Sequence, residues 1–229
     1  AKDNRWGYFP SVSLGWRPFK ETFISKISWM DDLKLRASYG SLGNLGNSLY
    51  PYQSVMSTNG FYSYDGSTIS SGMAVNGLVN KSISWEVTKV FDLGFDVTLL
   101  DNKFFLTFDY FNKKTTGILR KQQMIFESGY SSSSPYINSG AMQNTGFELS
   151  AEYRGKIDKV NFGVKWNIQT FKNKVTKFGN PEITSNGEAI PSIIEEGKPY
   201  GSFYLYDWDG IFQTQAEAVC VLFGGTPED

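Results

Sequence analysis

Asp92, Asp96, Asp109, Glu148, Glu152, Arg154 and Lys165 are residues whose types could carry ionic or acid–base chemistry. Paired carboxylates act as acid and base only at a fixed separation across a shaped cleft, and no spacing here enforces one. Histidine is absent, which removes the commonest general base and metal ligand. Asp207-Trp208-Asp209-Gly210 opens like a calcium loop, but the further ligands and the closing glutamate do not follow. Gly40, Gly43 and Gly46 precede no helix, so they make no dinucleotide fingerprint. Neither an enzyme nor a metal or cofactor site is expected, and most of these charges are expected to be solvated. Tyr50, Tyr52, Phe61, Tyr62 and Tyr64 offer different chemistry. Their flat faces suit sugar rings or peptide groups of a captured ligand, or packing on one another.

The charged residues sit on elements with a clear period. In residues 85–111, Phe91, Leu93, Phe95, Val97 and Leu99 alternate with Asp92, Gly94, Asp96 and Thr98. After Asp101-Asn102, Phe104, Leu106, Phe108 and Tyr110 alternate with Phe105, Thr107, Asp109 and Phe111. Successive side chains of a strand point to opposite faces, so this pattern predicts a long antiparallel hairpin. Asp and Asn tolerate the left-handed backbone of a two-residue turn. A second hairpin is predicted from Phe147, Leu149, Ala151 and Tyr153, through a turn at 155–159, to Phe162, Val164, Trp166 and Ile168. Further strands are expected at 7–17, 32–41 and 200–212, with a short helical turn within 18–31. Segments 42–84, 119–141 and 175–197 show no period and read as long loops.

Composition agrees with many strands joined by turns: aromatics reach 16%, and there are 23 glycines. The net charge of −1 gives no reason to expect nucleic acid. The single cysteine, Cys220, permits no intramolecular disulfide. No run of apolar residues is long enough for a transmembrane helix, although a barrel strand needs only about 9–11 residues with alternate ones apolar. The start of the chain lacks the apolar core of a signal peptide. Short and long connections alternate, with segment 18–31 the exception, which gathers the long loops at one end of the sheet as in an outer-membrane barrel. A soluble or surface-exposed β-sandwich that binds carbohydrate has the same strand alternation and is the alternative.

Several blocks resemble one family. RWGYFPSVSLGWR and SWMDDLKLRASYGSLGN are followed by ISWEVTKVFDLGFDVTLLDNKFFLTFDYFNKKTTGIL, NSGAMQNTGFELSAEYRG and EEGKPYGSFYLYDWDGIFQTQAEA. In this order they resemble the barrel of SusC/RagA-type TonB-dependent outer-membrane transporters, over nearly all of residues 5–218.

The resemblance implies an all-β fold: about seven antiparallel up-and-down strands from the C-terminal part of a larger transmembrane barrel. Residues 1–218 would form this partial barrel, and 219–229 a tail that does not match the family. Phe91, Leu93, Phe95, Val97, Leu106, Phe108, Leu149, Phe162, Val164 and Trp166 would face lipid. It further implies import of glycans or peptides across the outer membrane of a Gram-negative bacterium, with a SusD-like lipoprotein over the mouth. Energy would come from the TonB complex through a plug region that these residues do not contain. About seven strands cannot close such a barrel, so two unpaired edges are expected.

Overall fold

The computed structural model describes residues 4–21, 29–46, 50–54, 56–63, 66–75, 77–122, 134–184 and 190–206. Thirteen strands are described: β1 (Ser11–Trp16), β2 (Met30–Asn44), β3 (Met56–Ser63), β4 (Ile69–Val75), β5 (Glu86–Leu99), β6 (Phe104–Thr116), β7 (Leu119–Lys121), β8 (Tyr136–Asn138), β9 (Ala141–Ile157), β10 (Val160–Lys177), β11 (Glu182–Thr184), β12 (Ser192–Ile194) and β13 (Ser202–Phe203). One short 3₁₀ turn, Pro18–Lys20, lies between β1 and β2.

Six long strands form one antiparallel sheet in the order β1-β2-β5-β6-β9-β10. Each pairs with its neighbour in up-and-down fashion, so the connections fall alternately at two ends. At one end are 17–29, 100–103 and 158–159; at the other are 45–85, 117–140 and the segment after β10. The expected gathering of long connections at one end is therefore observed, with 17–29 the expected exception.

Register carries the alternation across the whole sheet. Leu35 pairs with Phe95, Phe95 with Phe108, Phe108 with Leu149, and Leu149 with Ile168. The row beside it runs Leu33, Val97, Leu106, Ala151 and Trp166. One face is thus apolar from β2 to β10, and β1 extends it with Trp16, Leu14 and Val12 opposite Leu35, Ala37 and Tyr39. Stacked rings lock the middle of that face: Phe95 and Phe108 have centroids 5.4 Å apart, and Phe108 and Phe147 are 6.1 Å apart.

Almost none of this apolar surface is covered among the described residues. Among the described residues the buried apolar side chains are Pro18, Ile83, Ala141, Val175, Phe178 and Ile194. Three of these, Val175, Phe178 and Ile194, form one small cluster at the upper end of β10. A sandwich buries the inner faces of two sheets, whereas none of the smaller sheets packs broadly on this one among the described residues. The single uncovered layer argues against the sandwich.

Other expectations are corrected. The main sheet has six strands rather than about seven, because the expected last strand contributes only β13, in a separate sheet with β11 and β12; residues 207–212 lie outside the described residues. The 42–84 segment contains its own hairpin, β3–β4, which small Ser and Gly residues concealed. β7 and β8 pair within 119–141. The β5–β6 turn is longer than two residues: Leu100, Asp101 and Asn102 all have positive φ. Asp31 Oδ2 steadies this turn by accepting a hydrogen bond from the Asn102 amide at 2.9 Å. The β9–β10 turn is shorter than expected, with Ile157 already paired to Val160 and Asp158 left-handed between them.

Candidate functional site

The polar face of the sheet brings the predicted ionic residues together. Asp92 lies opposite Phe111, Asp96 opposite Thr107, Asp109 opposite Glu148, and Glu152 opposite Lys165. Most are paired rather than simply solvated, which corrects the expectation. Arg36 on β2 donates from Nε to Asp96 Oδ2 at 2.9 Å and from Nη2 to Asp96 Oδ1 at 3.1 Å. Its Nη2 also lies 2.9 Å from Asp109 Oδ1 and donates to Asp109 Oδ2 at 3.2 Å. Thr107 completes the group by donating to Asp96 Oδ1 at 3.2 Å.

This guanidinium spans three strands because Gly94 stands between its partners. Gly94 is directly opposite both Arg36 and Asp109, and its missing side chain leaves room for the Asp109 carboxylate. Further along the face, Gln169 donates to Glu148 at 2.8 Å, and Ser150 to Asn167 at 2.7 Å. Arg154 pairs with Glu152 and lies 4.5 Å over the Phe105 ring. Asp92 makes no ion pair among the described residues. The face is a cross-strand polar lattice, and a cavity of about 310 Å³ against it is lined by Thr107, Asp109, Glu148, Ser150, Asn167 and Gln169; Arg36 engages Asp109 there and Gln169 engages Glu148.

At the long-connection end, side chains staple the loops to one another. Asn138 accepts from the Ser84 amide at 2.8 Å and donates to the carbonyls of Ser84 and Gly117, each at 2.9 Å. Arg120 donates to Ser139, Glu182 and the Phe178 carbonyl, and lies 4.4 Å over the Phe178 ring. Glu86 accepts from the Leu119 amide at 2.7 Å and from Asn44 at 3.0 Å. Glu196 accepts from the amides of Phe178 and Gly179, which hold its carboxyl below the usual range. Arg120, Ala141, Val175, Phe178, Glu182 and Tyr200 are among the residues around a cavity of about 340 Å³ there. Because Arg120 is already matched to Glu182, this cavity presents no free charge from that pair.

Sequence reasoning passed over Arg36, Arg120, Asn138, Glu86 and Glu196. Each works through a partner remote in the chain, and only the antiparallel order of β2, β5 and β6 could have suggested Arg36.

The predicted loop aromatics do not form one described cluster. Tyr50, 63% exposed, meets Tyr52 edge-on with ring centroids 6.2 Å apart. Phe61, 71% exposed, and Tyr62 are consecutive on β3 and therefore point to opposite faces of its hairpin. Tyr64 lies outside the described residues, as do Asp207-Trp208-Asp209-Gly210 and the tail 219–229. By contrast, Phe91, Leu93, Phe95, Val97, Leu106, Phe108, Leu149, Phe162, Val164 and Trp166 all fall on the single apolar face.

Residues 1–213 match the family model described as TonB dependent receptor-like, beta-barrel. The chain is 31% identical over 221 residues to TonB-dependent receptor P3 of Formosa agariphila, covering 93% of this chain and 22% of that protein. It is 28% identical over 221 residues to TonB-dependent receptor SusC of Bacteroides thetaiotaomicron, covering 90% and 22%. The fold superposes on the RagAB peptide importer in its closed-closed state with a TM-score of 0.79 and 29% identity, over 92% of this chain and 22% of that one. The chain thus spans about a fifth of the length of these relatives.

Proposed function

Because this chain belongs to the TonB-dependent receptor-like β-barrel family, we propose that it builds one stretch of wall in an outer-membrane transporter importing oligosaccharides or peptides. The observation that carries this reading is the six-stranded single layer, apolar on one face and ionic on the other, with both faces open. Residues 1–218 are wall and mouth, and 219–229 are a tail outside the family pattern. Further strands continue the barrel from the free edges of β1 and β10. The apolar face, including Phe91, Leu93, Phe95, Val97, Leu106, Phe108, Leu149, Phe162, Val164 and Trp166, meets lipid. From Phe162 to Thr170, β10 runs roughly 27 Å at about 3.4 Å per residue. That is about 20 Å of height at a tilt near 40°, comparable to the ~25 Å apolar band of such barrels.

The Arg36–Asp96–Asp109 lattice faces the lumen and the plug. The long connections form the mouth, where a SusD-like lipoprotein docks and where Tyr50, Tyr52, Phe61, Tyr62 and Tyr64 contact the ligand. The wall performs no bond chemistry; the work of transport comes from the TonB complex through the plug. Uptake of a labelled oligosaccharide library and a labelled peptide library by cells carrying the full-length protein tests this. One library should accumulate several-fold above a deletion strain, and only while TonB is energised. Accumulation of neither, or accumulation independent of TonB, would refute the transport reading. The aromatic contacts are tested by Tyr50→Ala with Tyr52→Ala, expected to weaken binding by about 3–10-fold on the energies of ring contacts.

A further inference from the structure

Val175 on β10 and Met142 on β9 are directly opposite each other, in step with Gln169 and Glu148. They therefore stand on the same face as the Arg36–Asp96–Asp109 lattice. That face is mostly polar below them, with Asn144, Glu148, Ser150 and Glu152 on β9 and Lys165, Asn167, Gln169 and Asn173 on β10. At the long-connection end it turns apolar. Phe178 and Ile194 close over Val175, and the three are buried together. The cavity of about 340 Å³ remains beside them. Interiors packed for stability alone leave few voids larger than a water molecule, whereas ligand pockets begin at roughly 300 Å³.

The walls separate the two cargo classes. A sugar ring needs an open aromatic face and polar groups free to meet its hydroxyls. Of the two rings on the lining, Phe178 is 7% exposed, and the Arg120 guanidinium lies 4.4 Å over it. Tyr200, 53% exposed at the rim, can close over either kind of ligand. The nearby polar groups are engaged: Arg120 with Ser139, Glu182 and the Phe178 carbonyl, and the Thr184 hydroxyl with that of Ser192. What remains is an aliphatic wall of Ile118, Ala141, Met142 and Ile194. Two cations complete the lining, Lys121 and Lys177; both are exposed, and neither makes an ion pair among the described residues. Lys121 lies 5.7 Å over the Tyr136 ring. Two carboxylates of this region are held elsewhere, Glu182 by Arg120 and Glu196 by the Phe178 and Gly179 amides.

An aliphatic wall beside unmatched cations is complementary to an apolar side chain beside a carboxylate, which is the pattern of a peptide C-terminus. We infer that this cavity receives the C-terminal residue of a short peptide. Its aliphatic side chain lies against Ile118, Met142 and Ile194, and its carboxylate turns toward Lys121 and Lys177. This rests on the transport reading and deepens it, because it makes peptide rather than oligosaccharide the cargo class.

The full-length protein in detergent, titrated with Ala-Ala-Leu, its C-terminal amide, Ala-Ala-Ser and maltotriose, tests the pocket. The wild type should bind Ala-Ala-Leu about tenfold more tightly than Ala-Ala-Ser, on burial of one branched side chain. It should also prefer the free acid to the amide by at least threefold. Met142→Trp, which fills the cavity, should remove the preference for leucine over serine. Ile194→Ala, which widens it, should shift preference toward Ala-Ala-Phe. K121Q/K177Q should lose the preference for the free acid and keep that for leucine. If Met142→Trp does not assemble, the other two variants carry the test. Equal binding of Ala-Ala-Leu and Ala-Ala-Ser by the wild type, binding of neither, or preferences unchanged in the variants would overturn the pocket alone. Tighter binding of maltotriose than of any peptide would overturn the peptide assignment and leave the transport reading standing. Uptake independent of TonB in the cell assay would overturn the transport reading, and the cargo role of the pocket with it, even where the peptide binds.

Discussion

Gly94 and Asp109 oppose each other across the β5–β6 ladder, and a Cβ placed on Gly94 would stand 2.1 Å from Asp109 Oδ1. The same Cβ would lie 2.9 Å from the Phe108 carbonyl oxygen, so the backbone also limits relief. The vacancy is what lets Asp109 lean across β5 toward Arg36. Gly94→Ala should therefore destabilise the assembled barrel by about 1–3 kcal/mol, the usual cost of overpacking. It should also separate Arg36 from Asp109. A double-mutant cycle with Arg36→Gln and Asp109→Asn should give a coupling of about 1 kcal/mol in the wild type and near zero beside alanine. Equal coupling in both backgrounds would show that Gly94 does not create the bridge.

The lipid-facing assignment predicts a depth profile. Phe108→Arg, in the middle of the apolar rows, should cost about 2–4 kcal/mol in denaturant unfolding of the full-length protein in lipid, whereas Phe91→Arg at the border should cost about 0–1. Thr107→Arg, adjacent in sequence but on the polar face, should fall well below Phe108→Arg. A flat profile along β5 and β6 would point to a packed protein core against those strands instead of lipid.

Much of the sheet was legible because its strands repeat one simple rule over many residues. Phe91 to Leu99 alternate without interruption, Phe104 to Tyr110 do so apart from Phe105, and β9 and β10 do so nearly as well. The rule fails where side chains are small: β3 and β4 are rich in Ser and Gly, and pairing within the connection holds them together. The left-handed Leu100 carried no signal, since leucine has no preference for that conformation; its amide donates to the Trp29 carbonyl, and Asp31 of β2 accepts from Asn102 in the same turn. Arg36 was visible as a polar-face residue of β2. Its role was hidden because it depends on the register of two further strands and on a glycine between them.

Glu196 gives the long-connection end of the sheet a pH dependence. Its folded pKa lies below the usual glutamate range because it accepts the Phe178 and Gly179 amides. Deprotonated Glu196 thus favours the stapled loop above its unfolded pKa of about 4.3. That contribution is lost as the pH falls through the folded value, and nothing comparable happens at neutral or alkaline pH. Exchange protection of the Phe178 and Gly179 amides should drop below about pH 4 in the wild type. It should be low and pH-independent in Glu196→Gln after correction for intrinsic exchange. Protection unchanged between pH 3 and 7 would remove Glu196 from the staple.

Among the described residues, β1 and β10 each have one long side without a strand partner in the main sheet, and the apolar face between them is uncovered. A soluble monomer of these residues alone would expose the rows from Leu35 to Ile168 to water and offer two strand edges to other chains. The buried core of the described residues, the cluster of Val175, Phe178 and Ile194 together with Pro18, Ile83 and Ala141, is too small to offset the conformational entropy of ordering six long strands. Residues 1–229 expressed by themselves in detergent-free buffer should therefore aggregate or remain unfolded, and should show no cooperative thermal transition. On the proposed reading, the same residues within the full-length protein should be protected, with neighbouring strands pairing with β1 and β10 and lipid covering the apolar rows. Sedimentation and calorimetry of the isolated segment decide the matter. A monodisperse monomer with a sharp melting transition would mean that the apolar face finds cover within the chain, and the lipid-facing assignment would fall with it.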